Sequence, residues 1–123
     1  MSGGIVTITL GGASYSMKPT YGAMREIETR TDMTISELLE LVLVQRLKFY
    51  EATLIVYFAC NAAGEDFNSV EAVGDLVFAA KLTNPVMMGT LAEFLTNCLY
   101  APDEAKKKYE ELVVPILSAM ETG

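Results

Sequence analysis

The chain has 123 residues, half of them apolar, and sixteen acidic against nine basic side chains give it a net charge of −7. That length supports one domain with a core of its own, without metal or disulfide staples, while the negative charge excludes the attraction to phosphate on which most nucleic-acid binding rests. Histidine is absent, which removes Ser-His-Asp and Cys-His catalysis, the HExxH zinc helix and most transition-metal sites in one step.

Gly11-Gly12 sits between two alternating stretches and reads as the two-residue loop of a β-hairpin. Pairing across it sets Leu10 against Ala13, Ile8 against Tyr15 and Val6 against Met17 on one face, with Thr7 and Thr9 opposite Ser16 and Ser14 on the other. The register dictated by the turn therefore separates apolar from hydroxylic residues. Such a hairpin is marginal in water unless its apolar face lies on something. Pro19 ends the second strand, and Thr20 caps a helix whose Tyr21, Met24 and Ile27 recur at helical spacing.

Thr34-Ile35-Ser36-Glu37 fits a capping box and opens a second helix running to about Arg46. Its Ile35, Leu38, Leu39, Val42, Leu41, Leu43 and Val44 make it apolar nearly all round. A third helix over 48–63 is similar, and Gly64 stops it. Helices of this kind are central or oligomeric, so a homo-oligomer is expected. The longest charge-free apolar run, 52–64, has 13 residues against the ~20 that cross a bilayer, so no membrane span is expected. No basic region precedes the apolar residues of the N-terminus, and a cytoplasmic location follows as the expectation.

Asn68-Ser69-Val70-Glu71 opens a fourth helix that ends before Asn84-Pro85, where Pro85 suits the first turn of a fifth. The fifth carries Met87, Met88, Leu91, Phe94, Leu95, Cys98 and Leu99. Ala101-Pro102-Asp103-Glu104 opens the last helix, with Ala105, Tyr109, Leu112, Val113, Ile116, Leu117 and Met120 as its stripe. Pro115 inside that pattern predicts a kink near Glu111 or a break before Ile116. The fold class is thus α+β and mostly α: a single domain, residues 1–123, with a hairpin in 1–18 packed on a bundle of five to six helices in 19–123.

No phosphate-cradling glycine motif occurs, since Gly11-Gly12 lies in a hairpin turn, and no catalytic, cofactor or metal site is expected. Carboxylate pairs occur at Glu26/Glu28, Glu65/Asp66, Asp103/Glu104 and Glu110/Glu111; adjacent residues on a helix point about 100° apart, so most of these pairs cannot converge and they read as a solvated face. Glu28 is the exception, placed to turn back beneath the hairpin. Lys106-Lys107-Lys108 reads as the solvated face of the last helix. Cys60 and Cys98 lie in apolar segments and read as buried thiols.

At Leu10-Gly11-Gly12, at Tyr15-Ser16-Met17-Lys18-Pro19-Thr20-Tyr21 and at Ile27-Glu28 followed by Thr31, the chain resembles the tail assembly chaperone-like proteins of tailed phages and gene-transfer agents. The close match covers the first third, and Asp32 stands where a glycine is common. The resemblance implies a non-enzymatic protein of the bacterial host cytoplasm, absent from the mature particle. Its implied role is to bind the tape measure protein while tube subunits polymerise around it, which adds those subunits to the expected partners. A structural tail component, tube or minor tail protein, is the alternative, and an unrelated small regulatory oligomer a third reading. Because a helical client is held best in a groove of apolar side chains that re-pack, the candidate partner-binding residues are Met87, Met88, Leu91, Phe94 and Leu95 on the fifth helix. Leu112, Val113, Ile116, Leu117 and Met120 on the last helix complete the set. Ordinary core is the competing reading of both stripes.

Overall fold

Gly11 and Gly12 take φ of +59° and +81°, the twist that a two-residue type I′ turn demands and that glycine adopts without strain. They join β1 (Val6–Leu10) to β2 (Ala13–Met17) in the computed structural model, which describes residues 4–122. The antiparallel register is Val6 with Met17, Thr7 with Ser16, Ile8 with Tyr15, Thr9 with Ser14 and Leu10 with Ala13, as the turn predicts. Val6, Ile8, Leu10 and Met17 are buried, whereas Ala13, beside the turn, is exposed. Half-buried Tyr15 stacks against Phe67, with ring centroids 4.9 Å apart.

Helical segments follow: α1 (Tyr21–Thr31), α2 (Ile35–Leu43), α3 (Phe49–Ala62), α4 (Val70–Ala80), α5 (Pro85–Leu99), α6 (Pro102–Lys108), a π turn (Tyr109–Val113) and α7 (Val114–Thr122). The last three form one continuous rod, so the bundle has six rods among the described residues, and the architecture is a hairpin on a mostly helical body. Caps explain the starts. Thr20 accepts from the Ala23 amide, Ser69 from Ala72, and Asn84 from Val86 and Met87, each such bond worth about 1 kcal/mol.

α2 carries the full capping box, with Glu37 N–H donating to the Thr34 hydroxyl and Thr34 N–H to the Glu37 carboxylate. Glu28 adds a third acceptor by taking the Ile35 amide at 2.9 Å. Glu28 therefore points along the bundle to the α2 N-terminus and not beneath the hairpin. A carboxylate there also meets the positive end of the helix dipole.

Two ends differ from the sequence reading. α2 stops at Leu43, short of Arg46, because Gln45 enters the left-handed region at φ +58°. Gln45 N–H then bonds Val42 O and Arg46 N–H bonds Leu41 O, the Schellman pattern normally built on glycine. At Pro115 the helix does not break before Ile116, and the distortion expected near Glu111 takes the form of the π turn over Tyr109–Val113. The missing N–H and the ring that crowds the preceding turn are absorbed by the π turn, in which Val114 N–H donates to Tyr109 O, five residues back.

α3 is the central rod, packed against α1, α4, β2 and α5, and Leu54, Ile55, Val56, Ala59 and Cys60 on it are at most 1% exposed. Its C-terminus reaches the hairpin. Gly64 N–H bonds Asn61 O and Glu65 N–H bonds Cys60 O, closing a Schellman motif at Gly64 with φ +90°. Ala63 N–H goes to Cys60 O, so the Ala59 carbonyl is left free and accepts from Lys18 N–H at 3.0 Å. Six residues on, the Glu65 carboxylate takes the Ser16 amide at 2.7 Å. Both amides lie on the outer edge of β2, since ladder bonding alternates from the Leu10–Ala13 pair beside the turn.

Glu65→Ala strips the Ser16 amide of its partner and should lower unfolding stability by about 1–2 kcal/mol. Asp66→Ala, one residue along, should stay within ~0.5 kcal/mol. Urea unfolding followed by circular dichroism measures both, and equal effects would show that the Glu65 bond contributes nothing.

Candidate functional site

The two stripes proposed as partner-binding from sequence meet each other in the fold. α5 turns Met87, Met88, Leu91, Phe94 and Leu95 inward, none more than 2% exposed, and packs between α2 on one side and β1 with the C-terminal rod on the other. All five are core side chains and offer no surface in this state. On the C-terminal rod, Val113 is buried and Ile116, Leu117 and Met120 are half-buried, while Leu112 is exposed.

What brings the rods close is Gly89. A side chain there would begin 2.8 Å from Leu117 Cδ1 and 3.4 Å from the Tyr109 hydroxyl, so the missing Cβ is the seat in which Leu117 rests. Beside this contact Gly4, Glu93, Asn97, Ala105, Tyr109 and Val114 line an open cleft of about 480 Å³. Asn97 Nδ2 donates to Gly4 O at 2.9 Å at its rim. Burial, and then the neighbouring Glu93, push the Tyr109 phenol above its ordinary 10.0.

A second surface was not singled out from sequence. Half-buried Leu41 and Leu43 of α2 and exposed Val44 just past its end, with half-buried Met33 from the preceding loop, line a cleft of about 430 Å³ whose remaining walls are Glu37 and Glu40. Val44 is 59% exposed. The signal was present in the sequence, since these leucines make α2 apolar all round, but that pattern implies burial as readily as an open face. Where the start of α3 meets α4, exposed Phe49 and Phe78 stack at 5.2 Å, and Lys81 Nζ sits 3.6 Å over the Phe78 ring. That arrangement satisfies itself.

Cys60 is buried in the core, and Cys98 is half-buried against it. Burial pushes Cys60 and Cys98 from 9.0 up to about 12, with Glu65 adding to the shift at Cys60 and Glu28 at Cys98. No group of three His, Cys, Asp or Glu side chains among the described residues is placed to hold a metal ion, and none of the described helices is long and apolar enough to cross a membrane. The carboxylates drawn into the body, Glu28, Glu51 and Glu65, each accept a backbone amide, which is a structural use. Compared with known proteins, the chain matches no family model, no curated protein and no solved structure.

Gly89→Leu should lift α7 from α5, costing about 1–3 kcal/mol in overpacking and speeding amide hydrogen exchange over residues 116–120 while α3 stays protected. Unchanged exchange there would mean the close approach does not hold α7 in place. For the thiols, a raised folded pKa means that above pH 9 the unfolded chain sheds protons the folded chain keeps. Stability should therefore fall between pH 9 and about 12. The Cys60→Ala, Cys98→Ala double variant should show a shallower decline in melting temperature over that window.

Proposed function

We propose that this protein is a non-enzymatic tail assembly chaperone that holds an apolar, helical segment of a tape measure protein during assembly of a long-tailed particle. The resemblance of the first third of the chain suggests the role. The observation that carries it to a place on the molecule is the acid-rimmed cleft on α2. An open trough walled by Met33, Leu41, Leu43 and Val44 is the kind of surface into which an amphipathic helix lays its apolar face, reading positions at i, i+3, i+4 and i+7. Glu37 and Glu40 at its walls, on a chain of net charge −7, favour a client with basic residues beside its stripe and keep the unoccupied chaperone soluble.

The cleft takes over the role first assigned to Met87, Met88, Leu91, Phe94 and Leu95, whose burial (at most 2% exposed) leaves a client nothing to touch without displacing α7. Leu112, exposed on the C-terminal rod, stays available as a secondary contact.

Co-expression with a tape measure protein tests the proposal. The wild type should keep the client in the soluble fraction. Val44→Asp, at an exposed position, should lose that effect several-fold with unchanged helicity and melting. Failure of the wild type to solubilise the client, or stoichiometric recovery of the chain from mature particles, would overturn the chaperone reading in favour of a structural tail component. If Val44→Asp holds the client as well as the wild type does, the site lies elsewhere than α2.

A further inference from the structure

The two edges of the hairpin are treated differently. Along β2 the outward amides of Ser16 and Lys18 are taken by Glu65 and by the Ala59 carbonyl. Along β1 the alternation that starts at the Leu10–Ala13 pair turns the N–H and C=O groups of Thr7 and Thr9 outward. Among the described residues nothing pairs with those groups, and both threonines are exposed. The strand is V-T-I-T-L. It has no charge, no proline and no bulge, the devices with which proteins usually blunt an edge.

The edge also reads nearly the same in both directions about Ile8, with Thr7 and Thr9 on either side and Val6 and Leu10 beyond. Antiparallel pairing of two such strands on a two-fold axis at Ile8 sets Thr7 opposite Thr9 of the second copy. These are the residues whose backbone groups face outward, so each pair exchanges both of its bonds. The same register lays Ile8 on Ile8 and Val6 on Leu10, which continues the buried face, and adds the threonines to the hydroxyl row already formed with Ser14 and Ser16. A slip of one residue would turn every side chain to the wrong face.

We infer that the β1 edge is the contact through which two copies of this chain pair, antiparallel and centred on Ile8, into one four-stranded sheet. The second copy is selected because both the register and the polarity of the match are built into the strand itself, as an isologous contact requires. A sheet of more than two strands is also what a hairpin needs to gain stability of its own. The inference is independent of the proposed client: a chain that holds no tape measure protein would still pair this way.

Two variants and one exchange measurement test it. Sedimentation equilibrium from about 1 to 200 µM, the range in which modest interfaces assemble, should show a monomer–dimer equilibrium for the wild type. Thr7→Lys with Thr9→Lys puts like charges opposite each other across the axis and should weaken dimerisation at least tenfold, with helicity and melting of the monomer unchanged. Thr7→Lys with Thr9→Glu pairs opposite charges only in the Ile8-centred register and should dimerise like the wild type. The amides of Thr7 and Thr9 should exchange more slowly as concentration rises, while that of Ser14, on the other edge, does not respond. A wild type that stays monomeric throughout, a dimer untouched by the double lysine, or a lysine–glutamate variant as weak as the double lysine would each overturn the proposal.

Discussion

The fold turns on the free carbonyl of Ala59. A helix end leaves several carbonyls without intrahelical donors, and the Schellman closure at Gly64 spends the last donors on Asn61 and Cys60. Ala59 O is then available to Lys18 N–H, and the same closure swings Glu65 out to meet Ser16. One helix terminus thus stands in for a third strand along β2. Its geometry anchors the hairpin over α3, and Ile8, Leu10 and Met17 become part of the main core. Without that docking the hairpin would be an isolated two-stranded ribbon, marginal in water.

The remaining rods follow from what α3 and the hairpin leave uncovered. α5 fills the space beside β1, turning its wide apolar stripe inward, and it needs cover from two directions. α2 supplies one cover and the C-terminal rod the other. That rod passes Pro115 by way of the π turn, in which Val114 N–H reaches back five residues to Tyr109 O. Gly89 then allows the approach that seats Leu117. Since a 21-residue rod of which only part is buried owes little to propensity alone, its packing on α5 is what keeps it in place.

The surfaces left open have a common character. On α2 the core-facing residues are Ile35, Leu38, Leu39 and Val42, while half-buried Leu41 and Leu43 and exposed Val44 line a cleft beside glutamates. On β1 the leftover groups are backbone amides and carbonyls in an uncharged strand. Apolar surface offered to a helix and backbone offered to a strand are separate means of association, and they lie on separate elements. The proposed client contact and the proposed self-pairing thus draw on different elements, α2 and β1.

What the sequence by itself determined was local. The Gly11-Gly12 turn and the alternation around it set the hairpin register residue by residue, and Thr20, Thr34, the Asn68-Ser69 pair and Pro85 marked helix starts, because turns and caps are interactions between residues near in sequence. The tertiary structure decided which apolar side chains became core. Met87, Met88, Leu91, Phe94 and Leu95 disappear inside although they resembled a binding stripe, and Leu41 and Leu43 stay half-buried and Val44 exposed although α2 appeared as apolar as α3. Periodicity states that a helix has an apolar face and is silent about what lies opposite it. Tyr21, in register with Met24 and Ile27, is 78% exposed for the same reason. Glu28 and Glu65 found their amides 7 and 49 residues away, and such pairings exist only once the chain has folded back on itself.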